Sequence, residues 1–166
     1  GLYPTNFDGP DGAEGLYPNA AAGAGWKEIL VGETVMVDMV TVVNGYQADT
    51  TRVFHVGRNL PAEARDAHRF CLDVLKRLEE SLRPGRNCAE IYAETLQWAQ
   101  ERREPEGFMG YAENRVKFFG HGVGLDLDGF PIIAARVDLE LCPGMVLAME
   151  PKAFLKGIGP VGVENT

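Results

Sequence analysis

The stretch "TVMVDMVTVVNGYQADTTRVFHVG", residues 34–57, constrains the fold more than any other part of the chain. Two runs rich in Val, Met, Thr and Phe flank the dipeptide Asn44-Gly45. Such a pair between β-forming runs is a strong hairpin signal, because both residues tolerate the positive φ that a tight two-residue turn requires. One strand is expected near Thr34 to Val43 and its partner near Tyr46 to Val56. The same stretch contains an oddity. Asp38 lies inside an apolar run, where an ionised carboxylate is costly unless paired or bound to a metal. Asp49 follows eleven residues later, across the turn. A plain hairpin brings the two carboxylates near each other, and a divalent cation is the usual remedy for their repulsion.

Helical periodicity follows. In "NLPAEARDAHRFCLDVLKRLEESLRPG" the residues Phe70, Cys71, Val74, Leu75, Leu78 and Leu82 recur at steps of three and four, which predicts an amphipathic helix ending before Pro84 and Gly85. Asn87, with Glu90 three residues on, opens a second helix in the manner of a capping box, and Pro105 with Gly107 closes it. After Met109 short apolar segments return between Gly and Pro, and they read as strands and turns. Strand, strand, helix, helix, strands is the order of an α+β domain with helices packed on one face of a curved antiparallel sheet. Residues 1–30 are rich in Gly, Pro and Ala and read as a loop-rich start. The domain proper is expected over residues 31–166.

Acidic residues recur in strand-like settings. Glu150 ends the apolar run "VLAMEPK", Glu164 closes "VGVEN", and His121 stands between glycines in "KFFGHGVGLDLDGFP". Each has an ordinary reading by itself. Asp49 is placed to bond Thr51, Glu150 to pair with Arg52 or Lys152, and a lone histidine is more often structural than a ligand. Together they offer four carboxylates and one imidazole, a set that suits Mn²⁺, Fe²⁺, Co²⁺ or Zn²⁺ pairs better than a structural zinc site, which prefers sulfur and histidine.

Composition narrows the function classes. A net charge of −8 and the lack of a dense basic patch argue against a nucleic-acid partner. No apolar run approaches the roughly 20 residues that cross a bilayer, and no signal segment stands at the start, so neither a membrane role nor export is expected. Cys71, Cys88 and Cys142 are widely spaced, as free thiols in a reducing compartment would be. A cytoplasmic location is the resulting expectation.

The segments "VDMVTVVNGYQADTTRVF", "FFGHGVGLDLD", "GMVLAMEPK" and "VGVENT" resemble, in order, the ligand-bearing segments of the pita-bread metallopeptidases: methionine aminopeptidase, Xaa-Pro aminopeptidase, prolidase and creatinase. The resemblance covers roughly residues 30 to 166 and implies the pita-bread fold. It implies two divalent metal ions, Asp38 and Asp49 holding one, His121 and Glu150 the other, with Asp49 and Glu164 between them. It further implies a short peptide substrate, a metal-activated water that attacks the peptide carbonyl, and Glu150 as proton shuttle. Members often carry an amino-terminal domain that helps bind substrate or form a dimer, so a homodimer belongs to the expectation. The family's catalytic domain is normally longer than this chain, which therefore reads as a fragment trimmed at both ends.

Three departures from the family pattern stand out. Prolidase-like members keep a second histidine seven residues after the ligand, where this chain has Asp128. That histidine donates a hydrogen bond to substrate or intermediate, whereas an ionised Asp only accepts. The histidine that usually precedes the first ligand strand is also missing, and Asn19 falls in about the right region to donate in its place. Asn165 stands where an Asp is common. The leading reading is an Xaa-Pro type hydrolase with Asp128 and Glu150 as candidate catalytic residues. The alternatives are a pita-bread module that binds metal or peptide without efficient hydrolysis, and a creatinase-like enzyme acting on another C–N bond. Substrate choice would rest on a pocket around Tyr111, Phe118, Phe119 and Phe130, four residues that read equally well as ordinary core aromatics.

Overall fold

The structure is a computed structural model and describes residues 28–111 and 115–166. It opens on the expected hairpin, β1 (Thr34–Val43) and β2 (Tyr46–His55). Asn44 and Gly45 adopt φ of 53° and 87°, the two positive values of a type I′ turn, whose twist matches that of the strands it joins. The turn sets the register: Asp38 lies opposite Thr51, and Asp49 opposite Val40. Cross-strand partners share a face and so do residues two apart on one strand. Asp38 and Asp49 are therefore diagonal neighbours on one face.

Two helices follow, α1 (Ala62–Ser81) and α2 (Cys88–Glu101). α1 turns Ala64, Ala67, Cys71, Val74, Leu75 and Leu78 inward, the predicted stripe. α2 starts where Asn87 predicts, the Asn87 side chain accepting from the amides of Ala89 at 2.9 Å and Glu90 at 3.4 Å, two donors that helical bonding leaves free. The helices pack on one side of the strands. Their buried faces meet Phe108, Phe119, Ile133, Ala153 and Val161, and Phe119 lies between the rings of Tyr92 and Phe108. Burying a side chain such as Leu78 or Ile91, both fully inaccessible, contributes about 1.5–3 kcal/mol.

The remaining strands are β3 (Phe118–Gly122), β4 (Gly129–Ala134), β5 (Leu147–Met149), β6 (Lys152–Leu155) and β7 (Gly159–Gly162). They pair antiparallel throughout, in the order β4-β3-β5 and as a β6-β7 hairpin. The described strands form three short antiparallel sheets joined by backbone bonds. Residues 163–166 provide the main seam. Thr51 and Glu164 exchange both backbone hydrogen bonds, and so do Met149 and Asn165, so the last residues run between β2 and β5. Pro151 and the bulged register of β3 against β4 break the ladders. A proline removes a donor and a bulge bends its strand.

Burial departs from the sequence pattern in one place. From Asp38 onward β1 is exposed, with Met39, Val40, Val42 and Val43 open to solvent despite their apolar side chains. Asp38 is thus not the buried carboxylate that its apolar neighbours suggested. Cys71 and Cys88 are buried and Cys142 is exposed, and all three are free thiols.

Candidate metal centre

Four separate elements converge on His121. β3 presents its imidazole, β2 presents Asp49, the turn after β5 presents Glu150, and the seam presents Glu164. All four are buried, at 4%, 7%, 8% and 2% exposure respectively. Such burial of three carboxylates with one imidazole is not sustainable as a set of free charges. Asp49, His121 and Glu164 each offer one ligand atom, and these atoms lie within 4.8 Å of one another. His121 Nε2 is 3.6 Å from Glu150 Oε1, 4.0 Å from Glu164 Oε1 and 3.4 Å from Asp128 Oδ1.

The glycines beside His121 make this approach feasible, and they serve the strands rather than a ligand. A Cβ on Gly120 would stand 2.2 Å from the Ala148 carbonyl oxygen on β5, and one on Gly122 would stand 2.3 Å from the Phe130 carbonyl oxygen on β4. Only glycine lets β3 fit between its two neighbours. His121 Nδ1 lies 3.1 Å from the Gly122 carbonyl oxygen. A carbonyl only accepts, so in that bond Nδ1 is the donor and Nε2 is the nitrogen turned toward the carboxylates, the arrangement of a metal ligand.

The carboxylates respond to their crowding. Burial first, and then Glu150, Asp38 and Asp49, push the Glu164 carboxyl up to about 8, against the opposing hydrogen bond from Thr51. Burial and the neighbouring Asp38 raise Asp49 to about 6. Asp49 Oδ1 is buried without a hydrogen-bond partner. An orphaned acceptor beside a free imidazole nitrogen and two further carboxylate oxygens fits a divalent cation, which would satisfy all of them at once. Asp49, His121, Glu150 and Glu164 are the residues able to hold it. Asp38 borders this group, near enough to bear on Asp49, but stays exposed.

Several contacts differ from the sequence expectations. Thr51 bonds Glu164 rather than Asp49, its hydroxyl donating to Oε2 at 2.7 Å. Glu150 pairs through Oε2 with Lys152 in a short contact. Arg52 turns to the seam, donating to the carbonyls of Thr51 and Glu164 at 2.8 Å each and to Asn165 Oδ1 at 2.9 Å. Thr166 pins Asp49 by accepting from its amide at 2.8 Å and donating to its carbonyl at 2.9 Å. Sequence reading left Lys152 and Thr51 as ordinary partners. Their spacing of two from Glu150 and Asp49 is the signal that each shares the acid's face of an extended chain.

Asp128 is near His121 but 78% exposed, at the open rim of the cluster. The expected aromatic pocket does not assemble. Phe119 is core, Phe130 is 72% exposed, and Tyr111 donates to the Phe154 carbonyl beside a separate cleft of about 170 Å³. Phe118 alone of the four stands beside His121, ring to ring at 6.4 Å. Asn19 lies outside the described residues. None of the described helices is long and apolar enough to cross a membrane.

Comparison with known proteins adds three findings. Residues 12–166 match the family described as metallopeptidase family M24. The chain is 30% identical over 141 residues to the Xaa-Pro dipeptidase of Pyrococcus furiosus, covering 84% of this chain and 38% of that protein. Among solved structures, prolidase from Pyrococcus furiosus superposes with a TM-score of 0.72 at 28% identity over 85% of this chain and 40% of that one. Dipeptidase PepE from Mycobacterium ulcerans gives 0.74 at 25% identity over 98% and 40%. The chain thus spans about two fifths of the length of the relatives it matches.

Proposed function

Since the chain belongs to metallopeptidase family M24 and carries its pita-bread fold, we propose that residues 31–166 are part of the catalytic domain of a metal-dependent peptidase of the Xaa-Pro type, acting on short peptides. The observation that carries this reading is the convergence of Asp49, His121 and Glu164 around a buried carboxylate oxygen without a partner. The two-ion centre implied by the resemblance is the reference for such an enzyme, with Mn²⁺ or Co²⁺ the first ions to test. A reducing, cytoplasmic setting agrees with the three free thiols. A homodimer is carried over from the resemblance alone.

A bound divalent ion would supply Lewis acidity, bringing a water toward ionisation at neutral pH and polarising the peptide carbonyl. The chain's own residues do the rest. His121, fixed by its Nδ1 bond to Gly122, presents Nε2 in a set direction. Asp49 is held from both sides of its peptide group by Thr166. Glu150 faces His121 with Oε1 while Lys152 holds Oε2, so proton transfer in and out of the site is assigned to Oε1.

A second reading has one specific observation behind it. Asp128, at the rim beside His121, only accepts hydrogen bonds when ionised, so the centre has no imidazole donor there. A module that binds metal or peptide without efficient turnover accounts for that. The readings separate on two measurements with the full-length protein: metal content after purification with Mn²⁺ or Co²⁺, beside Asp49→Ala, and turnover of Xaa-Pro dipeptides against longer peptides with proline second. Absence of stoichiometric metal from the wild type would sink the metallopeptidase reading. Stoichiometric metal without turnover of either substrate class would favour the binding module.

A further inference from the structure

The turn between β3 and β4 is held by main-chain bonds, so its position does not depend on what occupies the site. Val123 donates to the Val146 carbonyl at 3.1 Å and Gly124 to that of Asp126 at 3.0 Å. The hairpin grips the same turn from the other side, Gln47 donating through its amide to the Gly124 carbonyl at 2.7 Å and through Nε2 to that of Leu125 at 2.8 Å. The turn ends where Gly129 pairs with Gly122, the residue after His121. Backbone register therefore delivers Asp128 to the mouth of the cluster, with its side chain open to solvent. Phe130 stands on the same rim. Along β4, Pro131 and Ile133 are buried while Phe130 and Ile132 are not, and Ile132 is the cross-strand partner of His121. Alternate residues of a strand share a face, which puts Phe130 on the His121 side of the sheet, toward the turn. Its ring is largely exposed.

Charge at this rim is unbalanced. The ion-pairing neighbour of Asp128 among the described residues is the His121 imidazole, and no Lys or Arg pairs with Asp128 or with the exposed Asp126. Arg52 is committed to the seam and Lys152 to Glu150. The whole chain carries a net charge of −8, so no distant excess of cations offsets the mouth. A carboxylate without a cation of its own repels a substrate carboxylate and attracts an ammonium or guanidinium group. The face of an adjacent aromatic ring favours the same cationic groups and accommodates their apolar stems.

We infer that Asp128 and Phe130 form a specificity subsite for a cationic residue of the peptide, so that substrates carrying Lys or Arg beside the scissile bond are preferred over those carrying Asp or Glu there. The inference rests on the peptidase reading above and gives it a substrate class. The task it assigns to Asp128 is selection by charge.

The test is kcat/KM of the metal-loaded, full-length protein on two series of tripeptides with proline second, one varying the first residue and the other the third among Lys, Leu and Glu. In at least one series the Lys to Glu ratio is expected to be about tenfold at low salt and to shrink as salt screens the rim. Asp128→Asn keeps the size and removes the charge, and is expected to bring that ratio close to one. Phe130→Leu keeps an apolar side chain without the ring and is expected to lower the Lys to Leu ratio by about threefold. Asp126→Asn removes an equal charge from the same turn and is expected to leave most of the preference. A quotient of two substrates on one enzyme cancels any general loss of activity in a variant. A ratio near one in both series for the wild type, or an unchanged ratio in Asp128→Asn, would overturn the inference and leave the peptidase standing. An equal fall in Asp126→Asn would overturn the assignment to Asp128, because diffuse charge would then suffice. If no peptide is turned over, the peptidase reading fails, and the same ratios taken from calorimetric dissociation constants decide the subsite, equal affinities for the Lys and Glu peptides overturning it as well.

Discussion

Thr51 and Glu164 are joined twice over: their backbones exchange both hydrogen bonds, and the Thr51 hydroxyl donates to Glu164 Oε2 at 2.7 Å. The pair links the hairpin to the seam and aims Glu164 Oε1 at His121 in one step. Thr51→Val keeps the shape and removes the donor from a buried acceptor, so it should destabilise the metal-free protein by about 1–3 kcal/mol in urea unfolding, with Thr51→Ser close to wild type. Equal stabilities for Val and Ser would remove the hydroxyl from the account.

The raised Glu164 and Asp49 carboxyls make metal binding a proton-releasing event. A carboxyl whose folded value exceeds its unfolded one stabilises the fold below the unfolded value and loses that contribution as pH rises through the folded value. The metal-free protein should therefore lose stability as pH rises from about 4.5 through about 8, the span between the ordinary Glu value and that of Glu164. Ligation needs the ionised forms. Apparent metal affinity should thus fall by roughly 100-fold from pH 8 to pH 6, Glu164 contributing most and Asp49 about twofold. Calorimetric titration in buffers of different ionisation enthalpy counts the protons. A pH-independent affinity would contradict the burial of these groups as free acids.

At Gly122 an added methyl meets the Phe130 backbone, which cannot rotate away as a side chain can. Gly122→Ala should lower stability by about 1–3 kcal/mol and weaken metal binding with it, since β3 carries His121. Gly124→Ala is the matched control, because nothing lies within 4 Å of its added Cβ. It should fall within about 0.5 kcal/mol of wild type. Similar losses at both positions would locate the requirement in backbone flexibility rather than in strand approach.

Asp128→His tests whether the rim has lost a hydrogen-bond donor. With Asp128 Oδ1 3.4 Å from His121 Nε2, a histidine there faces the same opening. Turnover of an Xaa-Pro dipeptide should rise by about 100-fold if the donor was the missing element. Unchanged turnover would assign the exposed Asp128 a different task.

Local chemistry was legible in the sequence and long-range chemistry was not. Asn44-Gly45 fixed the hairpin and its register because turn geometry is set by the two residues themselves. Asn87 marked the start of α2 because its side chain caps amides two and three residues away. The five ligand-type residues were recognisable through motif order. The turning of Arg52 toward Asn165 joins residues 113 positions apart, on which periodicity is silent, and the exposure of Asp38 runs against the apolar residues on either side of it. Lys152 was visible as a neighbour of Glu150, but not as a charge within the ligand cluster.

The seam formed by residues 163–166 has a kinetic consequence. Thr51 and Glu164 are 113 positions apart, so the ligand set exists in no contiguous stretch of chain and closes only when the last residues have docked. Contacts of such sequence separation carry a large loop-closure entropy and form late. An ion that requires all of them binds a finished topology and is absent from the barrier that precedes it. Its effect should therefore appear in the unfolding limb of a chevron, slowing escape from the native state while leaving the refolding rate almost unchanged.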